Sequence, residues 1–162
     1  MTAPTSHVVD AQKLTADATI DLFEITFHGT GTIYRFWNGS ASRVWQGHTY
    51  ESLACTLTGE GQHSTAENMR PKLIVVNPAK ILGPFAALGY FDLALVARKR
   101  LLQADFIADN NISQKRLWIV GRVIGVTSQI LQLELRDTTD MPVWLTPRRT
   151  YNPSEGYPFV GI

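Results

Sequence analysis

Between residues 19 and 137 the apolar side chains return mostly at every second position, in short runs cut by glycine, asparagine and proline. A period of two suits strands with one buried face and argues against a helical bundle. In residues 19–27, Ile20, Leu22 and Glu24 fall on one side, and Phe23, Ile25 and Phe27 on the other. After His28-Gly29-Thr30-Gly31, whose two glycines suit a hairpin, residues 32–37 form a second run rich in aromatic and β-branched side chains. Asn38-Gly39 marks another turn. Gln46-Gly47 stands between the strand-like ends Val44-Trp45 and His48-Thr49-Tyr50, where glycine permits the positive φ of a tight tip. Residues 53–58 and 71–77 read as further strands, and 117–127 with 130–137 as a hairpin joined across Ser128-Gln129.

One helix is expected over residues 79–88, because Ile81, Leu82, Phe85 and Leu88 recur at steps of three and four and Gly89 can close the end. Residues 93–104 contain good helix formers but also alternate, and are expected as strand; Asp105, Asp109 and Asn111 are expected as a turn. The implied fold is mainly β, α+β at the margin: a compact, barrel-like antiparallel domain over residues 19–140. An N-terminal arm precedes it over 1–18. A tail over 141–162 follows, with Pro142, Pro147, Pro153 and Pro158 among Trp144, Tyr151, Tyr157 and Phe159, a composition that blocks regular structure yet favours packing on a surface.

At 162 residues, 44% apolar and 18% charged, the chain has material for one core, which excludes disorder for its bulk. A net charge of +1 argues against a polybasic role. Cys55, the one cysteine, makes no internal disulfide and no cysteine-based metal centre. The first ten residues lack a basic start and an apolar stretch, and no run approaches the ~18 apolar residues of a spanning helix, so a soluble protein without a membrane partner is expected.

Candidate chemistry is sparse. His7, His28, His48 and His63 come with no catalytic motif. Glu60, His63 and Glu67 would share a helical face, but Gly59, Gly61 and Ser64-Thr65 argue for a polar loop. Gly29-Thr30-Gly31 and Gly59-Glu60-Gly61 lack the strand-to-helix setting of a phosphate loop, and Asp105, Asp109 and Asn111 lack the closing Glu of a calcium loop. No catalytic residue, metal or cofactor is expected. Arg98-Lys99-Arg100, with Lys115-Arg116 and Arg148-Arg149, opens an alternative: a small barrel binding single-stranded nucleic acid, with tryptophans as stacking platforms. Trp37 and Trp118 are expected in the core and Trp144 at an interface.

Three stretches carry a family resemblance: Thr19-Ile-Asp-Leu-Phe-Glu-Ile25, Val44-Trp-Gln-Gly-His-Thr-Tyr50 and Arg70-Pro-Lys-Leu-Ile-Val-Val-Asn77. With Arg98-Lys99-Arg100, the hairpin ending at Asp137, Arg149-Thr-Tyr151 and Gly156-Tyr157, their order and spacing resemble the minor tail protein L family of lambda-type phages from about residue 19 onward. The resemblance implies a non-enzymatic virion component of the tail tip, made in the cytoplasm of the host bacterium. It implies a homo-oligomeric hub ring, three copies as the first expectation and six as the alternative. Its partners would be the distal ring or tube protein, the central host-specificity protein and the tape measure protein, with no specific nucleic acid. Longer members continue into a cysteine-rich iron-sulfur domain; Glu155 stands where the family places a cysteine before the glycine and tyrosine, so a short form without the cluster is expected. On this reading Trp144, Tyr151, Tyr157 and Phe159 are candidate subunit contacts, and Arg98, Lys99 and Arg100 a candidate charged lumen or ring face.

Overall fold

The computed structural model describes residues 18–60, 70–76, 82–127 and 129–138. The proposed tail contacts, most of the arm and most of the polar loop after Glu60 lie outside them. Among the described residues nine strands form one sheet: β1 (Thr19–Thr26), β2 (Ile33–Trp37), β3 (Arg43–Trp45), β4 (His48–Ser52), β5 (Cys55–Thr58), β6 (Lys72–Val76), β7 (Leu95–Leu102), β8 (Gln114–Val126) and β9 (Ile130–Asp137). Among the described residues two short helices, α1 (Leu82–Ala87) and α2 (Gln103–Ile107), interrupt them. The fold is mainly β, as the alternation requires.

The sheet order is β3-β4-β2-β1-β7-β8-β9-β6-β5. This ladder is open, but its two ends belong to one continuous stretch of chain. β4 pairs with β2 through Phe36↔Glu51 and Trp37↔Ser52, and Leu53 N donates to Trp37 O at 3.0 Å. Two residues later β5 pairs with β6, and Val76 N donates to Ala54 O at 2.8 Å. The segment His48–Thr58 therefore draws the sheet round into a barrel-like roll. Seven positions around a roll cannot all alternate in direction, so one neighbouring pair must be parallel; β2 and β4 are that pair, and the other pairings are antiparallel.

Inside lie Phe23, Ile25, Phe27, Phe36, Cys55, Leu73, Val75, Val96, Trp118, Val120, Leu131, Leu133 and Leu135. They come from alternate positions of the strands, as pleating dictates. α1 covers one end, burying Leu82 and laying Phe85 on Phe27 at a centroid distance of 5.1 Å. A second apolar cluster forms on the outer face of β1 and β7, where Leu22 and Leu101 meet Trp45 and Tyr50 of the β3–β4 hairpin and Phe106 of α2. Trp118 is in the core, whereas Trp37 is half-buried and packs on the outer cluster.

Several strand bounds shift by two or three residues, β8 starting at Gln114 rather than 117, and two differences alter the packing. The strand expected over 93–104 ends at Leu102, and α2 starts at once: Gln103 N bonds Ala18 O at 2.8 Å, and turning the chain buries Phe106. Asp105, expected in a turn, is consequently a buried helical residue whose side chain accepts Asn110 Nδ2 at 3.0 Å. The helix expected over 79–88 occupies Leu82–Ala87 among the described residues, with Gly83-Pro84 in its first turn, where a missing amide hydrogen breaks no helical bond.

Candidate functional site

β7 carries the basic triplet, and alternation sends its members to opposite faces. Arg98 and Arg100 follow Ala94 and Val96 towards the interior; Lys99 follows Ala97 and points outward, where Leu101 joins the outer cluster. The triplet is therefore two sites rather than one stripe.

At the end of the roll remote from α1, Arg100 makes a two-bond contact with Asp21 of β1, at 2.8 Å from Nε and from Nη2. The bidentate fork holds the guanidinium pKa above its ordinary value, first through the bond to Asp21 and against the opposing effect of burial. Arg98 is 5% exposed and binds Glu60, two residues beyond β5; Arg116 of β8 reaches the other oxygen of Glu60 at 2.9 Å. Both guanidinium groups also lie over the Trp118 ring, at 5.5 and 5.2 Å from its centroid. β5 is an end of the sheet order and β7 and β8 are central, so Glu60 bridges across the mouth of the roll.

On the outer face, Glu24 Oε1 accepts from Tyr50 Oη at 2.6 Å, Lys99 Nζ at 2.9 Å and Arg35 Nε at 3.2 Å. One carboxylate thereby ties together β1, β2, β4 and β7. Burial alone would raise its pKa, but the bonds from Tyr50, Lys99 and Arg35 outweigh it and hold the group below its ordinary value. Tyr50 is pushed well above the usual phenol range, first by burial and then by Glu24. Lys99 also lies 5.3 Å from the Trp45 ring centroid. The hairpin that brings Trp45 and Tyr50 here turns through Gln46 and Gly47, with φ of 50° and 72°; two positive φ values at a two-residue tip are the requirement of a type I′ turn. Gln46 N donates to Asp109 Oδ1 at 2.7 Å, fixing the tip to the chain after α2.

A third carboxylate, Glu134 of β9, is held below its usual pKa mainly by Arg70, which donates at 2.6 Å. Cys55 is buried, and burial followed by the charge of Asp21 pushes its thiol up to about 12. Among the described residues no three His, Cys, Asp or Glu side chains gather as a metal site would require, and no helix is long and apolar enough to cross a membrane. What the clusters do chemically is hold strands together. Glu60 stood in the sequence as a loop residue, and Asp21 and Glu24 as ordinary strand positions; their partners lie 11 to 79 residues away, and no local signal marks them. His63 and Glu67 lie outside the described residues.

No protein-family model and no curated protein matches the sequence. Among solved structures the fold is similar to that of a chain in the virion of a native gene transfer agent particle, with a TM-score of 0.63 at 15% sequence identity. The alignment covers 93% of this chain and 50% of that one, so this chain spans about half the length of the protein it matches.

Proposed function

We propose that this chain is a structural, non-catalytic subunit of the tail tip of a phage or phage-derived particle. Copies form a hub ring that joins the tail tube and distal ring to the central host-recognition protein. The observation that carries this reading is the fold shared with a virion chain over 93% of the sequence. The resemblance of Val44–Tyr50 and Arg70–Asn77 to the minor tail protein L family adds the position at the tail tip. The ion clusters suit such a role, because they bind strands distant in sequence into one unit able to transmit force. Trp144, Tyr151, Tyr157 and Phe159 are the proposed contacts with neighbouring subunits.

Quantitative peptide mass spectrometry on purified particles from the source strain tests the assignment, read as copies of this chain relative to the tube protein. About three copies per tail supports a trimeric hub, and about six a hexameric ring. Absence of the chain from particles overturns the proposal.

A further inference from the structure

The outer faces of β6, β9 and β8 carry a group of cations around one carboxylate. Pairing register places Lys72 and Arg122 on either side of Glu134, and Arg136 lies two residues further along β9 on the same face. Arg70 reaches Glu134 from the chain entering β6, and Arg122 Nη2 approaches its other oxygen at 3.3 Å. Four cations thus surround one carboxylate. Glu134 is nearly covered while the side chains of Arg70 and Arg122 remain 52% and 69% exposed, so the guanidinium groups lie over the carboxylate and face outward. Lys72 is exposed, without a carboxylate partner among the described residues, and Arg136 Nε is buried without an acceptor.

The backbone is shaped around this group. The β8–β9 register shifts between Val120 and Arg122, and the residue at the shift is Gly121. A Cβ there would lie 2.4 Å from Arg136 Nε and 2.8 Å from its Cδ, so the missing side chain leaves the space in which Arg136 crosses the strand.

Charge complementarity selects the occupant. Arginine forks match carboxylates in pairs of bonds, whereas Arg70 and Arg122 each give Glu134 a single bond, which leaves further donors of both unused. A nucleic-acid backbone fits less well: Glu134 would face its phosphates from the middle of the patch, and the register neighbours on this face, Thr58, Ile74, Ile119 and Gln132, offer no ring for stacking. We infer that the outer face of β6, β9 and β8 docks an acidic surface of a neighbouring virion protein, whose carboxylates take the donors that Glu134 leaves free. The inference rests on the virion reading above and adds the chemistry of the partner.

Purified particles treated with a water-soluble carbodiimide test it, because the reagent activates a carboxylate that a nearby lysine amine then captures as an amide. Lys72 is expected to be joined to an Asp or Glu of a neighbouring chain in particles and to remain unjoined in the isolated protein. Arg122→Gln and, separately, Lys72→Gln, which place no second carboxylate opposite Glu134, are expected to lower incorporation into particles by about tenfold, with the isolated variants still folded by circular dichroism. Normal incorporation of both variants, or a photochemical cross-link from this face to nucleic acid, overturns the inference while the parent chain's presence in particles leaves the virion reading standing. Absence of the parent chain from particles overturns both.

Discussion

At the scale of single residues, Glu24 shows how an acidic side chain at a half-buried strand position can be favourable. Its three donors come from three different strands, and its charge compensates Lys99, which is 19% exposed and would otherwise be desolvated without a counter-ion. Its pKa in the folded protein lies below the ordinary 4.5. Between the lowered value and 4.5 the unfolded chain binds more protons than the folded one, so stability rises with pH there; it is fully present above about 4.5 and lost as pH falls through the folded value. Glu134 acts in the same direction. Glu24→Gln is therefore expected to destabilise the protein by about 1–3 kcal/mol at pH 7 and to flatten the decline in stability below pH ~4.5. Urea titrations at pH 7, 5 and 3.5 read both effects. An unchanged acid slope would show that Glu24 is not a principal source of it.

At the scale of elements, the β3–β4 hairpin is the piece whose residues were most legible and whose purpose was least so. Gln46-Gly47 marked the turn locally, and the strand-like ends Val44-Trp45 and His48-Thr49-Tyr50 marked its strands. What could not be read was that the hairpin folds over the outer face of β1 and β7 and is latched by Asp109, 63 residues from Gln46. The same division runs through the basic triplet. Its strand was readable from alternation, while the carboxylates that claim it belong to distant segments brought together only by strand pairing. α2 escaped for a local reason: a five-residue helix with no side-chain cap has no periodicity to detect, and tertiary burial of Phe106 supports it instead. The latch can be tested alone. Asp109→Ala removes an exposed bond of about 1 kcal/mol, so amide exchange across residues 43–50 should quicken roughly five-fold while β8 and β9 exchange as before. Equal acceleration throughout would mean that the hairpin and the roll open as one unit.

At the scale of the whole molecule, closure depends on contacts that cross the roll as well as on those along its wall. The hydrogen-bonded order is open, and His48–Thr58 bridges its ends through short pairings. Glu60 adds a link of another kind, running from the end of β5 over the interior to β7 and β8. Its side chain is 23% exposed, but that of Arg98 is only 6% exposed, so removing the carboxylate leaves a cation that water reaches poorly. Asp21 stands 3.8 Å from Arg98 Nε but already holds Arg100 in two bonds, which limits what it can compensate. Glu60→Ala is expected to lower stability by about 3 kcal/mol, more than its exposure alone suggests. Arg98→Met added to Glu60→Ala removes the stranded charge while keeping an apolar stem over Trp118, and should restore at least about 1 kcal/mol. Arg116, at 38% exposure, can turn to solvent in either variant, so its contribution should nearly cancel between them. Guanidinium denaturation of the parent, the two single variants and the double variant measures the coupling. A double variant less stable than Glu60→Ala alone would mean that Arg98 holds the mouth chiefly through Trp118 and Asp21, and that the crossing ion pair is incidental to closure.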